Sequence, residues 1–208
     1  MMDKVFARFI EIFGPAIDRR EVPPSSLDRY KDKLPPKLLE YWAEHGWGGY
    51  GDGIFWLVNP QEYEAVVSSW IENTALNTQD TYHLIARSAF GDLYLWGEKS
   101  GASLTITSVS AQYVFHKNSF TKTELDAELQ GFILSSRVES NDFNDLFKPA
   151  LSTLGQLKHD EMYGFFPALM LGGSDSLKFL KKISAVEHLI FLAQLTDLEP
   201  YFFSEVPT

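Results

Sequence analysis

The sequence predicts an α+β protein, with N-terminal helices packed on a mostly antiparallel sheet and a smaller C-terminal α/β part. Three observations predict it. Lys4–Phe13 places its apolar side chains largely on one helical face. Between Tyr82 and Phe115, short aromatic or β-branched segments alternate with Gly, Asp and Asn turns, as hairpins do. After the polar segment 137–141, helix-like and strand-like segments follow one another again.

The N-terminal helices are recognised by their ends. Gly14-Pro15 ends the first helix, and a short helix is predicted over Leu27–Lys33. Pro35-Pro36 opens a third helix that Gly46 ends, because proline suits a first turn and glycine suits a C-terminal stop. Asn59 then resembles an N-cap for a helix that reaches about Glu72.

The predicted strands follow a glycine-rich stretch. Trp47–Gly53 contains four glycines and predicts a turn-rich loop. The continuous apolar run Ile54–Val58 is typical of a buried strand. The aromatic side chains expected in the core are Trp42, Phe55, Trp56 and Trp96. The hairpin strands are predicted at Tyr82–Ala86, Leu93–Trp96, Leu104–Ile106 and Gln112–Phe115.

The C-terminal part is less regular. The polar segment 137–141 is the best linker candidate, so the predicted domains are residues 1–136 and 142–208. Ala185–Leu195 suits either a helix or a strand. The other predicted elements are helices over 123–135, Asn144–Leu154 and Leu177–Ile183 and a strand over Phe166–Leu171.

Composition excludes several classes of function. The chain has no cysteine, which excludes a disulfide framework and thiolate chemistry. Its net charge is −10 and is spread evenly along the chain, which disfavours direct binding to nucleic acid or to an anionic membrane and favours a basic protein partner. Charged residues interrupt the N-terminal apolar segment, so we expect no signal peptide and a cytoplasmic protein.

No catalytic residue, metal ligand or cofactor is expected. The five histidines show no paired spacing, and no serine lies in a nucleophile-elbow motif. The Gly-rich loop 46–53 follows a helix and precedes a strand, the reverse of the order that directs amides at a phosphate. These patterns favour a protein that binds over one that catalyses.

Two stretches carry a family resemblance. LPPKLLEYWAEHGWGGYGDGIFWLVNPQEY (Leu34–Tyr63) and FGDLYLWGEKSG (Phe90–Gly101) resemble the GAD-like domain. The stretch Asp145–Asp197 resembles the C-terminal domain of type VI secretion DNase immunity proteins, in which the two domains occur in this order. More loosely, the first stretch is similar to the SMI1/KNR4-like immunity superfamily.

The resemblance implies a bacterial immunity protein. Such a protein binds a cognate antibacterial toxin in the cytoplasm, typically a DNase, and occludes or distorts the toxin's active site without any chemistry of its own. A nuclease presents a basic DNA-binding face, for which an acidic protein is a suitable partner.

The residues predicted to contact the toxin are expected to be exposed on turns. Trp47, Tyr50 and Asp52 belong to the Gly-rich loop, while Asp92 and Glu98 lie on the turns of the two predicted hairpins. Two alternatives stay open. One is a small-ligand-binding or hydrolytic domain that uses the Gly-rich loop 46–53, with Asp52 or Asp92 in a deep pocket. The other is an oligomerising regulatory module.

Overall fold

A computed structural model describes residues 3–117, 120–121 and 123–202. It confirms the predicted α+β class: helices lie against a mostly antiparallel sheet, and a small helix–hairpin part follows. The helices are α1 (Lys4–Phe13), α2 (Pro24–Tyr30), α3 (Pro36–His45), α4 (Glu64–Ile71), α5 (Leu76–Gln79), α6 (Leu125–Ser135), α7 (Phe147–Leu154) and α8 (Ala185–Ala193).

The strands are β1 (Ile17–Arg20), β2 (Trp47–Tyr50), β3 (Phe55–Leu57), β4 (Tyr82–Ser88), β5 (Asp92–Gly97), β6 (Gly101–Thr107), β7 (Gln112–Phe115), β8 (Glu161–Phe165), β9 (Leu180–Ser184) and β10 (Glu199–Pro200). Eight of them form the main sheet, in the order β1-β2-β3-β4-β5-β6-β7-β10. Neighbouring strands are antiparallel except β10, which runs parallel to β7, and β8 and β9 pair separately.

The first helix forms for local reasons that the sequence already shows. The Asp3 carboxylate caps α1 by accepting hydrogen bonds from the backbone N–H groups of Val5 at 2.9 Å and Phe6 at 3.3 Å. Phe6, Phe9 and Phe13 share its buried face. These rings pack on one another and on strand aromatics, so α1 is fixed to the sheet by aromatic contacts.

The predicted loop over residues 47–53 is wrong in its first half, which is β2. Gly49 lies opposite Trp56 on β3, and a Cβ atom there would come within 2.8 Å of the indole ring. Gly49 therefore allows close packing against β3, whereas Gly51 and Gly53 have positive φ in the turn that follows. The short strand β1, which also pairs with β2, has no apolar run that would have predicted it.

The core prediction is confirmed. Trp42, Phe55, Trp56 and Trp96 are all fully buried. The predicted hairpin strands are confirmed as β4 to β7, each paired with its neighbour in sequence. Local turn chemistry was therefore sufficient for this part of the sheet.

Two C-terminal predictions are wrong. The strand lies at Glu161–Phe165 rather than Phe166–Leu171, and Leu177–Ile183 is a short 3₁₀ turn followed by β9 rather than a helix. Pro167 has no N–H to donate to a ladder, which disfavours a central strand after Phe166. Ala185–Ala193 is a helix, with its buried residues at helical spacing.

A fully buried arginine attaches the C-terminal part to the sheet. Arg87 of β4 donates through Nη2 to the carbonyl oxygens of His159 at 2.9 Å and Glu161 at 2.8 Å. Its Nε donates to the Tyr63 hydroxyl at 2.9 Å, and its guanidinium lies over the Trp56 ring. No carboxylate among the described residues pairs with Arg87, so neutral acceptors alone satisfy this buried cation.

Candidate functional site

The expectation that Trp47 and Tyr50 are exposed is wrong. Strand β2 pairs on both sides, so neither residue extends from a free loop. Trp47 packs on Trp42 with ring centroids 5.6 Å apart and is 3% exposed. Tyr50 is 1% exposed and packs on Phe9. Neither side chain offers surface to a partner in this conformation.

The carboxylates of the predicted contact set lie in different environments. Asp52 is exposed, at a positive φ of 59°. Asp92 is half-buried, and its carboxylate accepts a hydrogen bond from the Ser88 hydroxyl at 2.8 Å. Burial raises the pKa of the Asp92 carboxyl, while hydrogen bonds from Ser88 and Thr107 oppose that rise. Asp92 therefore stabilises the turn between β4 and β5.

Glu98 lies far from Asp92. The two residues flank opposite ends of β5, which at about 3.4 Å per residue places their backbones roughly 20 Å apart. The Glu98 carboxylate contacts Nε2 of His83 at 2.9 Å and forms part of a surface groove. The five predicted contact residues thus do not form one site, and their role in toxin binding stays a prediction.

The groove beside Glu98 is bounded by α2 and α3 and closed at one end by the start of α6; we call it the α2–α3 groove. Its volume is about 600 Å³. Leu39 and Leu125 are half-buried along it, and Ala43 is exposed. Its apolar lining residues are Leu27, Leu34, Pro36, Leu39, Ala43, Phe120 and Leu125.

The rim of the α2–α3 groove is charged, with carboxylates in excess. Lys31 and Lys33 supply positive charge. Glu40 forms an ion pair with Lys37, whereas Asp28 and Asp32 are exposed and have no recorded ion pair within the described chain. The acidic lining residues are Asp28, Asp32, Glu40 and Glu98.

The sequence analysis missed this groove, although one signal was present. Leu38 and Leu39 are adjacent in α3, and consecutive helical residues are turned by about 100°, so the two leucines face different directions. Leu38 is fully buried, whereas Leu39 is half-buried and lines the groove. The position of α6 opposite it depends on tertiary packing, which no local pattern reveals.

A second surface feature lies on the C-terminal part. The rings of Phe166 and Phe191 pack against His188 with centroid distances of 5.4 and 5.9 Å, and they are 38% and 43% exposed. Burial lowers the pKa of His188 to about 4, so its imidazole is neutral near pH 7. An exposed aromatic pair of this kind is typical of protein–protein interaction surfaces.

Nothing in the described residues assembles a catalytic centre of a recognisable kind. No group of three His, Asp or Glu residues among them is placed to hold a metal ion. Neither Asp52 nor Asp92 lines the α2–α3 groove. No helix within the described part of the chain is long and apolar enough to cross a membrane.

Comparisons with known sequences assign the family. The sequence model of the GAD-like domain matches residues 4–110, just over half of the chain. The model of the C-terminal domain of T6SS immunity protein Tdi1 matches residues 126–196. The chain therefore belongs to the GAD-like family and carries the immunity-protein C-terminal domain after it, as the resemblance implied. No curated protein matches the chain.

Among solved structures, the chain is similar to the crystal structure of Atu4351 from Agrobacterium tumefaciens. The TM-score is 0.79 at 19% sequence identity, and the match covers 93% of this chain and 89% of the other. At this identity the likeness shows a shared fold and nothing about activity. The shared fold includes both the sheet and the C-terminal part.

Proposed function

We propose that this chain is an immunity protein that binds and neutralises a cognate type VI secretion toxin. The observation that carries the proposal is the order of its two family matches, a GAD-like domain followed by the C-terminal domain of an immunity protein. The protein acts in the cytoplasm of the producing cell and its kin, where an incoming toxin would reach its target.

The chemistry of the surface favours a basic partner. Net charge is −10, and carboxylates such as Asp28, Asp32 and Asp52 are exposed on the N-terminal part. Opposite charges on two proteins accelerate their encounter and restrict the choice of partner. A DNase, which needs a positive face to bind phosphates, fits this surface, so we propose a DNase as the toxin.

The chain neutralises the toxin by staying bound to it. The chain covers or distorts the toxin's active site and performs no reaction. One immunity protein therefore inactivates one toxin molecule, and inhibition lasts as long as the complex does.

Co-expression tests this proposal. The toxin gene adjacent to the gene for this chain is expressed in a susceptible bacterium, with and without the chain. We expect the chain to restore growth and to co-purify with the toxin. Growth arrest that the chain does not relieve, together with no complex on purification, would reject the proposal.

A second candidate is a small-ligand-binding domain, which the size of the α2–α3 groove favours. Its volume of about 600 Å³ lies within the range of about 300–1,000 Å³ for ligand pockets. A small-ligand site built on the Gly-rich loop 46–53 has less support, because the first half of that segment is paired on both sides as β2. Thermal-shift screening with apolar metabolites would reveal such a ligand as a rise in melting temperature.

A further inference from the structure

The α2–α3 groove exposes apolar surface that the described chain does not cover. Leu27, Leu39 and Leu125 are half-buried, and each keeps part of its side chain open to solvent. Such a depression between helices, with apolar walls and a polar rim, suits the recognition of an amphipathic helix. Large apolar side chains of a partner helix, spaced three or four residues apart, would lie along these walls.

The rim indicates the charge of that helix. Glu98 contacts His83 at the groove, and Glu40 forms an exposed ion pair with Lys37 that offsets part of its charge. Asp28 and Asp32 add two exposed negative charges. Carboxylates outnumber the lysines Lys31 and Lys33 on the rim, which favours Lys or Arg residues on the flanks of the bound helix.

We propose that the α2–α3 groove receives an amphipathic helix of the toxin, with apolar anchors on one face and Lys or Arg residues beside them. The inference rests on the proposed function and names the surface that carries it out. A second copy of this chain is a poor occupant, because two molecules of charge −10 repel each other.

Filling the groove tests the inference. Ala43 is an exposed residue of α3 within the groove, and Ala65 is an exposed residue of α4 outside it. Titration calorimetry with the catalytically inactivated toxin of the adjacent gene should show Ala43→Trp weakening binding by more than about 30-fold, the size of a hot-spot loss. Ala65→Trp, the matched control, should change the affinity by less than about threefold.

The charge of the rim is tested by a second matched pair. Asp32 and Asp145 are both exposed and both have positive φ, at 62° and 63°, a conformation that asparagine also tolerates. Asp32→Asn should weaken toxin binding by about threefold at low salt and by less at high salt. The reason is that salt already screens the attraction between Asp32 and a basic toxin in the wild type, so its removal matters less there. Asp145→Asn should leave affinity unchanged at both salt concentrations.

The outcomes separate this inference from the proposed function. If the wild type does not bind the toxin, the proposed function fails. If the wild type binds and Ala43→Trp binds like Ala65→Trp, the groove inference alone fails. A wild-type dimer in light scattering that Ala43→Trp dissociates would assign the groove to a second copy and overturn the inference.

Crosslinking tests the inference even if Ala43→Trp fails to fold. A photoreactive amino acid at position 43, in a protein that retains the wild-type melting temperature, should crosslink to a Lys- or Arg-flanked helix of the toxin. Crosslinks to a different kind of segment, or none in a complex that forms normally, would overturn the inference.

Discussion

The sheet-forming region, residues 3–115, and the region that follows differ in how they bury apolar side chains. In the first, aromatic rings from α1, α3 and β3 enclose one another, and no large apolar side chain is strongly exposed. All the strongly exposed ones among the described residues lie beyond it: Leu134, Phe166, Leu171, Phe191 and Phe202. Apart from the partly open α2–α3 groove, the first region closes its own core, whereas the second keeps large apolar side chains strongly exposed.

The two regions also differ in how their contacts are made. Strands β4 to β7 pair with neighbours in sequence. The C-terminal part is instead attached by contacts across long stretches of chain: Arg87 to His159 and Glu161, and the N–H of Tyr163 to the carbonyl of Ala89 at 2.9 Å. We therefore expect the C-terminal part to depend on a few junction residues.

The largest effect is expected at Arg87. Arg87→Met removes the donor to two carbonyl oxygens and to the Tyr63 hydroxyl, all in a buried site. Urea denaturation should show a loss of about 3 kcal/mol in the free energy of unfolding. Hydrogen exchange should place the greater loss of protection in β8 and β9 rather than in β5 and β6.

The control for that experiment is Arg29→Met. Arg29 pairs with Glu64 at 2.6 Å on the surface, so its loss should cost less than about 1 kcal/mol. Equal costs for the two variants would contradict the view that Arg87 attaches the C-terminal part.

A somewhat smaller effect is expected at Gly91. Its φ is +93°, and a Cβ atom would lie 2.6 Å from Ser108 Oγ and 2.8 Å from Met162 Cε, at the junction of the two regions. Gly91→Ala should lower the free energy of unfolding by about 2 kcal/mol, by strain and overpacking. Thermal unfolding followed by circular dichroism measures this change.

At Gly131 a substitution by alanine is expected to have the opposite effect. It lies within α6, and a Cβ atom there would have no neighbour within 4 Å. Gly131→Ala should stabilise the protein by about 0.5–1 kcal/mol, because alanine loses less conformational freedom in a helix. If both substitutions shift stability in the same direction, close packing at the junction is not the cause.

An effect of intermediate size depends on pH. The pKa of His188 is lowered to about 4 in the folded chain, whereas an unfolded histidine titrates near about 6.5. Between these values the unfolded chain binds the extra proton, so stability falls as pH falls. When the pH falls from about 7.5 to 5, His188 should lower the free energy of unfolding of the wild type by about 1–2 kcal/mol. The His188→Gln variant should not show this loss.

Denaturation curves of the two proteins at both pH values measure that difference. The loss should appear first in the exchange protection of α8, since His188 lies there. Parallel pH dependence in wild type and His188→Gln would show that another group is responsible.

The elements that could be predicted from the sequence are those whose contacts are local in the chain. Helices α1 and α3 and the hairpin strands depend on neighbours in the chain, and their prediction is confirmed. Strands β1 and β2 were missed because they pair with each other across α2 and α3. The same pairing buries Trp47 and Tyr50, so two of the five predicted contact residues are not on the surface.

The family and the acidic character were readable from the sequence, but the α2–α3 groove was not. Its lining combines α2 and α3 with Leu125 of α6 and Glu98 after β5, positions that only the tertiary fold brings together. Of the five predicted contact residues, Glu98 lies at this groove, and Asp52 is exposed elsewhere. Individual charges were thus predictable, while their grouping was not.

The most direct test of the central claim is a stoichiometric titration of the toxin's activity. Increasing amounts of the purified chain are added to a fixed amount of active toxin, and the remaining cleavage of DNA is measured. Neutralisation by binding predicts a linear fall that ends at one molecule of the chain per toxin. Complete inactivation by far less than one equivalent, or undiminished cleavage at several equivalents, would contradict it.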